Sequence, residues 1–226
     1  AEDPVVMIYS SGTTGKPKGI LLRERAVTEN AHMTNLHMRY RQTDVFVTML
    51  PLFSSFGFCW DFLMAGQVGA KTVILPKYDP AVVADLVVWH KITLLIGVPT
   101  MFARFFEADN LKGRDISSVR LIDVGGGPVS DRLKHDLKHV HRIEVVESYG
   151  LTEISPVASV QIPFGEHKVG SCGPALPGIE VKVVDEQGNV LPPNTPGELC
   201  FRCSTFMVGY WNKPEETARV LRDGWL

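Results

Sequence analysis

The two signs of charge are nearly balanced in this sequence, and long apolar runs are absent. The 226 residues include 23 Lys or Arg and 25 Asp or Glu, which gives a formal net charge of −2. This balance excludes a broad basic surface, so we expect neither nucleic acid nor an anionic lipid surface as a partner. No apolar run approaches the ~20 residues that span a bilayer, and the first residues do not resemble a signal peptide. The sequence therefore predicts a cytoplasmic protein without an integral membrane segment.

Cysteine is also scarce, with four residues in the chain. That number excludes the disulfide framework that holds many small secreted domains together. Cys200 and Cys203 have C-x-x-C spacing, but no second pair accompanies them, and positions three apart on a strand point to opposite faces. His135 and His139 could share a helix face, yet the cations of the same helix would repel a metal. We therefore expect reduced thiols and a solvated basic helix face.

Short apolar runs alternate with helical patterns over residues 44–146. The predicted strands are 45–50, 71–75, 92–96, 119–124 and 143–146, and the predicted helices are 80–90, 100–109 and 131–139. Asp79 is the expected cap of the helix that begins at residue 80. Strands that alternate with helices are typical of parallel βαβ units. The sequence therefore predicts the α/β class, with residues 1–162 as an α/β part that binds nucleotide and acyl groups.

The pattern changes after about residue 163, where Pro and Gly become frequent. Short strands are predicted at 179–184 and 197–202, and residues 185–189 have the composition of a hairpin turn. We therefore assign residues 163–226 to a β-rich subdomain that forms either a small barrel or a distorted sheet packed on the α/β part.

The most informative stretch follows an apolar run, residues 5–9, that we predict to be a buried strand. Glycines let backbone N–H groups turn toward an anion, hydroxyls donate further hydrogen bonds, and lysines add positive charge. The residues concerned are Ser10, Ser11, Gly12, Thr13, Thr14, Gly15, Lys16 and Lys18. They predict a phosphate-binding loop, although the spacing is not that of the Walker motif. A polar surface loop without a ligand is the alternative that composition leaves open.

A second motif, residues 125–128, follows the predicted strand 119–124. Gly125, Gly126, Gly127 and Pro128 end that strand, and three glycines permit a backbone to approach a flat ligand closely. The same residues also suit a simple strand-to-helix turn, with Ser130 as the cap of the following helix. The two interpretations are compatible.

A third motif, residues 147–153, follows the predicted strand 143–146, at the edge of the sheet where α/β proteins bind ligands. Tyr149 offers an aromatic face for a purine, Thr152 a hydroxyl for a phosphate, and Glu153 an oxygen ligand for Mg²⁺. Taken alone, the segment could be a turn followed by a helix cap.

These motifs, in this order, resemble those of the acyl-adenylate-forming superfamily of AMP-dependent synthetases and ligases, and are most similar to bacterial fatty-acyl-CoA synthetases. The resemblance covers nearly the whole chain, which corresponds to the central part of a larger enzyme. It implies that Lys18, Thr152 and Glu153 are catalytic and that Glu153 is the Mg²⁺ ligand. It also implies ATP binding by the loop of residues 10–18 and by Gly126, Gly127, Pro128, Glu147, Ser148, Tyr149, Gly150 and Thr152.

A further segment, residues 51–58, resembles the part of the family that flanks the acyl tunnel. The resemblance implies an acyl pocket formed by Phe53, Ser54, Phe56 and Gly125. Ser54 stands where the family commonly has histidine, and it is too small to take the roles of an imidazole. Packing of the phenylalanines in the core is an equally good interpretation, and it does not exclude the first.

The resemblance implies ATP-dependent activation of a carboxylic acid, medium- or long-chain fatty, to acyl-AMP and its transfer to coenzyme A. ATP and Mg²⁺ would be required, coenzyme A would be the co-substrate, and a small carboxylic acid would be the partner. An aryl-acid or amino-acid ligase on the same scaffold is an alternative, as is a non-catalytic nucleotide-binding fragment. The family's ribose-binding aspartate and C-terminal lid domain fall outside this sequence, so we expect weak or absent turnover from the isolated chain.

Overall fold

A six-stranded sheet organises the protein in the computed structural model, which describes residues 3–10 and 17–226. The strands are β1 (Pro4–Ser10), β2 (Lys18–Arg23), β3 (Val45–Thr48), β4 (Lys71–Ile74), β5 (Leu94–Gly97), β6 (Leu121–Val124), β7 (Glu144–Gly150), β8 (Val157–Val160), β9 (Glu180–Val184), β10 (Glu198–Arg202) and β11 (Gly209–Tyr210). The α-helices are α1 (Glu24–Met38), α2 (Leu63–Val68), α3 (Pro80–His90), α4 (Pro99–Phe105), α5 (Ala108–Leu111), α6 (Asp131–His139) and α7 (Pro214–Val220). A π-helical turn (Phe56–Phe62) and a 3₁₀ turn (Thr152–Ile154) complete the described elements.

The large sheet has the strand order β4-β3-β5-β6-β7-β8. Its first five strands are parallel, and β8 pairs antiparallel with β7. Parallel strands covered on both faces have nearly continuous apolar sequences, and every residue of β5 and β6 is buried. The predicted α/β class with parallel βαβ units is therefore confirmed.

Side chains of alternate residues enter separate cores on the two faces of this sheet. Leu121 packs with α1 and the π-helical turn, whereas its neighbour Ile122 packs with α3, α4 and α6. This alternation follows from the two-residue period of a strand. It places Asp123 on the same face as Leu121, under the π-helical turn.

Helices α3 and α6 begin at the capping residues that the sequence indicates. The Asp79 carboxylate accepts hydrogen bonds from the backbone N–H groups of Ala81 and Val82, at 3.0 and 3.1 Å. The Ser130 hydroxyl accepts one from Leu133 at 3.3 Å. The predicted helix 131–139 is confirmed in its full extent. The predicted helix 100–109 is divided instead, because α4 ends at Phe105 and α5 begins at residue 108.

Two strand predictions require correction. The run 5–9 was expected to be buried, but in β1 only Ile8 is buried, because β1 lies at the edge of a small antiparallel sheet beside β2. Strand β7 extends to Gly150, beyond the predicted end at residue 146, because the antiparallel partner β8 continues its hydrogen bonding. The third motif therefore begins inside a strand.

The C-terminal part is β-rich, as predicted, and its strands form short open sheets within the described residues. Strands β9 and β10 pair antiparallel with each other, and residues 185–189 form the expected turn, with Gly188 N–H bonded to the Asp185 carbonyl at 3.0 Å. Strand β11 instead joins β2, which belongs to the N-terminal part. Of the two expected forms, this is a distorted sheet and not a barrel, since β9 and β10 pair only as a two-stranded ladder. The division at residues 162 and 163 stays a prediction.

Among the helices of residues 3–10 and 17–226, none combines the length and the apolar character needed to cross a bilayer.

Candidate active site

A cavity of about 160 Å³ lies at the carboxyl ends of β6 and β7, the edge at which parallel α/β sheets bind ligands. Its walls come from the π-helical turn, the loop after β6, the end of β7 and the 3₁₀ turn. The lining residues are Ser55, Phe56, Trp60, Gly125, Gly126, Ser148, Gly150, Leu151, Thr152 and Pro156. None of these residues is charged.

Two glycines are required by the backbone geometry of this cavity. A Cβ on Gly150 would lie 2.2 Å from the Pro156 carbonyl oxygen, which is a severe clash with backbone. A Cβ on Gly125 would lie 2.9 Å from Phe56 Cζ and 3.1 Å from Ser148 Oγ. Glycine at residue 125 therefore leaves space between the Phe56 ring and the Ser148 hydroxyl.

The apolar wall is formed by two aromatic rings of the π-helical turn. The rings of Phe56 and Trp60 meet edge to face, with centroids 5.1 Å apart. Such pairs combine large buried area with a defined geometry. The wall is suited to a flat apolar group rather than to a charged one.

The structure brings together two of the four predicted acyl-pocket residues. Phe56 and Gly125 line the cavity. Phe53 is 83% exposed and lines a separate apolar groove with Ile74 and Tyr78. The Ser54 hydroxyl donates to the Pro51 carbonyl at 2.7 Å and accepts from Gly57 N–H at 3.1 Å, so it holds the start of the π-helical turn.

The polar wall of the cavity includes the predicted phosphate-binding hydroxyl. Thr152 Oγ1 and Ser55 Oγ lie 2.7 Å apart and share a hydrogen bond. Ser55 is therefore a site residue that the motif reasoning missed, although it is adjacent to Ser54 in the predicted acyl segment. A hydroxyl pair of this kind can donate one hydrogen bond outward while it keeps the other.

Other predicted nucleotide-binding residues lie in the cavity wall or next to it in the sequence. Gly126 lines the cavity, and Gly127 and Pro128 are exposed on the same loop. The Tyr149 ring stacks on Phe201 at a centroid distance of 6.2 Å and is partly exposed. Burial raises the pKa of the Tyr149 hydroxyl.

Glu147 is committed to the protein's own chain. Its carboxylate accepts a hydrogen bond from Val129 N–H at 3.1 Å and forms an ion pair with Lys134. The side chain is largely buried in the middle of β7. It therefore fixes the loop after β6, together with the start of α6, against the sheet.

A second group of predicted residues lies where β2, the 3₁₀ turn and α7 meet. Lys18 Nζ pairs with Glu216 Oε2 at 2.7 Å and lies 5.0 Å from the centroid of the Tyr210 ring. The Tyr210 hydroxyl donates to Glu153 Oε1 at 2.9 Å. The ammonium groups of Lys18 and Lys213 lower the pKa of Glu216 to about 2. Tyr210 thus contacts both a predicted catalytic lysine and the predicted metal ligand.

The predicted phosphate-binding loop is described only at its ends. Ser10 pairs with Lys18 across the hairpin of β1 and β2. The predicted ATP-binding residues Ser11, Gly12, Thr13, Thr14, Gly15 and Lys16 lie outside the described residues.

Two buried carboxyl groups lie behind the cavity, and sequence reasoning missed both. Asp123 stands in β6, and Asp61 in the π-helical turn above it, and both are almost fully buried. Burial raises the pKa of Asp123 to about 7 and raises that of Asp61, which Asp123 raises further. The signal was present, since each aspartate interrupts an otherwise apolar segment.

Other candidate metal and redox positions find no support. Across the described residues, no group of three or more His, Cys, Asp or Glu side chains is placed to hold a metal ion. The rings of His135 and His139 are 4.4 Å apart on α6. Each of the four cysteines is a free thiol.

Comparison with known proteins identifies the family. The family model described as "AMP-binding enzyme" matches residues 1–211. A 4-coumarate–CoA ligase of Oryza sativa subsp. japonica is 36% identical over 240 residues, which cover 100% of this chain and 44% of the relative. A long-chain-fatty-acid–CoA ligase of Bacillus subtilis (strain 168) is 33% identical over 227 residues, which cover 99% of this chain and 40% of the relative. The chain belongs to the AMP-binding enzyme family, and it spans less than half the length of these relatives.

Solved structures agree with this assignment. Apo MatB from Rhodopseudomonas palustris matches with a TM-score of 0.92 and 28% identity, over 100% of this chain and 44% of that one. An anthranilate CoA ligase, AuaEII, in complex with anthranoyl-AMP, matches with a TM-score of 0.91 and 26% identity. The match covers 100% of this chain and 44% of that one. The fold is thus that of the corresponding part of acyl-CoA ligases.

Proposed function

We propose that the protein to which this chain belongs activates a carboxylic acid with ATP and transfers the acyl group to coenzyme A. The observation that carries the proposal is the cavity at the carboxyl ends of β6 and β7, where Thr152 and Ser55 face an aromatic wall. One side suits a phosphate and the other an apolar acyl group. The family membership and the anthranoyl-AMP found in a similar structure support the same chemistry.

The reaction consists of two displacements. A carboxylate oxygen attacks the α-phosphorus of ATP, the bond to the β-phosphate oxygen breaks, and pyrophosphate leaves with the electron pair. The thiol of coenzyme A then attacks the acyl carbon, loses its proton, and AMP leaves. The protein must mainly hold two anions together and stabilise the charge that develops on phosphate oxygens.

The chain's own residues fit these tasks. The Thr152 hydroxyl would donate to the α-phosphate. Lys18 would exchange the Glu216 carboxylate for a phosphate oxygen, because both are anionic hydrogen-bond acceptors for its ammonium group. Glu153 offers one carboxylate, of which Oε1 is held by Tyr210. One carboxylate together with substrate phosphates is a usual way for proteins to bind Mg²⁺, which would neutralise phosphate charge.

The nucleotide contacts follow from the remaining predicted set. Gly126 lines the cavity and is followed in the loop by Gly127 and Pro128, and a purine would stack on the partly exposed ring of Tyr149, which lies between the cavity residues Ser148 and Gly150 in the sequence. Glu147 supports this loop from behind through Val129. The residues of the phosphate-binding loop would hold the β- and γ-phosphates.

The acid is chosen by the size and chemistry of the cavity. A closed cavity of about 150 Å³ is large enough for benzene, and the present cavity of about 160 Å³ has an aromatic wall. These features favour a compact aryl acid. A medium- or long-chain fatty acid, which the sequence resemblance favours, would have to extend beyond the cavity. The absence of charged groups among its described lining residues argues against an amino acid.

Acid-dependent exchange of pyrophosphate into ATP tests the proposed function. We expect Thr152→Val to lower the exchange rate by about 10²-fold, the usual effect of losing one donor to a developing anion. Thr72→Val, at a half-buried threonine of β4 away from the cavity, is the matched control and should keep the wild-type rate. The isolated chain is expected to turn over weakly, so the complete protein is compared with it. Equal rates for Thr152→Val and wild type would contradict the role of Thr152, and no exchange with any acid would contradict the function.

A further inference from the structure

The cavity has one buried hydroxyl on its apolar side. Ser148 lies in β7 and is 7% exposed. A Cβ on Gly125 would lie 3.1 Å from the Ser148 Oγ atom. The aromatic wall of Phe56 and Trp60 surrounds the same space. Ser148 is thus placed with the predicted acyl pocket, although its motif had suggested an ATP contact.

The proton of this hydroxyl is already committed. Ser148 Oγ donates to Asp123 Oδ1 at 2.7 Å and lies 3.3 Å from the Val124 carbonyl oxygen. The Val124 carbonyl can only accept, and Asp123 accepts when it is ionised, so the Ser148 proton has an acceptor inside the protein in either protonation state of Asp123. A hydroxyl with one proton and two lone pairs therefore presents acceptor capacity, and no donor, to the cavity.

Asp123 is an unusual residue for the interior of a parallel sheet. Asp123 is 1% exposed, and within the described part of the chain its Oδ2 has no hydrogen-bond partner. The indole Nε1 of Trp60 approaches it but meets no acceptor with hydrogen-bonding geometry among the described residues. Buried polar groups of this kind are costly, and a role at the cavity would account for their presence.

We propose that Ser148, oriented by Asp123, is a specificity-determining residue that accepts a hydrogen bond from the acyl portion of the acid. The acid preferred by the protein then carries a donor, such as a hydroxyl, an amino group or a ring N–H, on its apolar body. This inference rests on the proposed function and adds the class of acid to it.

Nearly isosteric acids provide the test. The complete protein is assayed by ATP–pyrophosphate exchange with 3- and 4-methylbenzoate, the corresponding hydroxybenzoates and the corresponding aminobenzoates. Sites built to hydrogen-bond a substrate group discriminate strongly against analogues that lack it. We expect kcat/KM for the best hydroxyl or amino acid to exceed that of its methyl analogue by at least tenfold. Titration of the same acids into the protein, followed by calorimetry, provides a second readout that does not depend on turnover.

Variants assign the preference to Ser148. Ser148→Ala should bring the donor-to-methyl ratio close to one while the KM for ATP stays unchanged. Ser159→Ala, in the neighbouring strand β8, is the matched control, since that hydroxyl is also buried but donates to Cys172 Sγ and does not line the cavity. It should keep the wild-type ratio.

The outcomes separate the inference from the function on which it rests. Equal kcat/KM for methyl and donor acids, or exchange with aliphatic acids alone, would overturn the inference and leave acyl activation standing. A Ser148→Ala variant that raises the KM for ATP but keeps the acid preference would also overturn the inference and leave acyl activation standing. Absence of exchange and of binding for every acid would overturn both.

Discussion

At the residue scale, the buried carboxyl groups are the most unusual chemistry in the molecule. Asp123 and Asp61 lie between the sheet and the π-helical turn, and among the described residues neither carboxylate forms an ion pair or a hydrogen bond with a cation. Burial favours the neutral form of a carboxyl group, so the pKa of Asp123 is raised from 3.8 to about 7. The protonation of these groups therefore links folding to pH.

The contribution of Asp123 to stability should consequently fall as the pH rises from about 4 to about 7. In this window the unfolded chain loses the Asp123 proton while the folded protein keeps it, so the unfolded state binds fewer protons. For one such group, each unit of pH in this window lowers the free energy of unfolding by about 1.4 kcal/mol. Urea denaturation at pH 5 and pH 8 measures the difference.

The contribution of Asp123 is isolated by a variant. Burial lowers the pKa of His37, and this shift makes stability rise with pH near neutrality, opposite to the effect of Asp123. The pH profile of wild-type stability is therefore a sum of both contributions. Asp123→Asn should lose more stability at pH 5 than at pH 8, relative to wild type, whereas Asp109→Asn on the exposed helix α5 should give the same small change at both. An Asp123→Asn effect that is independent of pH would contradict the assignment.

At the element scale, the site depends on how the loop after β6 is held. Glu147 connects the middle of β7 to Val129 and to Lys134 of α6. The loop between β6 and α6 contains Gly126, Gly127 and Pro128, of which Gly126 lines the cavity. Without this connection the cavity wall formed by Gly126 would lose its support.

Removing this connection should therefore lower both stability and activity. Glu147→Ala leaves a buried N–H without its acceptor, and we expect a loss of about 2 kcal/mol of unfolding free energy. Glu147→Gln retains an acceptor for Val129 and should lose less. Glu186→Ala in the exposed turn before β10 serves as the control and should be neutral. Denaturant unfolding of the three variants is the measurement, and a Glu147→Ala protein as stable as wild type would refute this role.

Sequence predicted the elements whose signals are local. The caps Asp79 and Ser130 fixed the starts of α3 and α6, and the alternation of apolar runs predicted the parallel sheet. The exposure of β1 could not be predicted, because it depends on pairing with β2 at the edge of a sheet. The extension of β7 likewise depends on β8, which is recruited by tertiary pairing.

The sequence predicted only part of the candidate site, because some of its contacts depend on tertiary structure and not on local signals. Thr152, Phe56 and Gly125 meet at one cavity because carboxyl ends of parallel strands share an edge of the sheet. The contacts of Lys18 with Glu216 and of Glu153 with Tyr210 join residues far apart in the sequence, and no local pattern signals them. The placement of Phe53 outside the cavity follows from the course of the π-helical turn, which apolar periodicity does not predict.

At the scale of the whole molecule, the two parts of the chain are joined around the predicted catalytic residues. Strand β11 pairs with β2, and Met207 N–H bonds to the Glu153 carbonyl oxygen at 2.8 Å. The C-terminal residues thus hold both Lys18 and Glu153 in place. The chain spans 44% of the 4-coumarate–CoA ligase that it resembles.

The central claim is that a carboxylate attacks the α-phosphorus of ATP, and isotope transfer tests it most directly. The complete protein is incubated with an aryl acid labelled with ¹⁸O in its carboxylate, together with ATP, Mg²⁺ and coenzyme A, and the products are analysed by mass spectrometry. The account predicts acyl-CoA, unlabelled pyrophosphate and AMP that contains one ¹⁸O atom. Formation of ADP with label in inorganic phosphate, or of AMP without label, would contradict it.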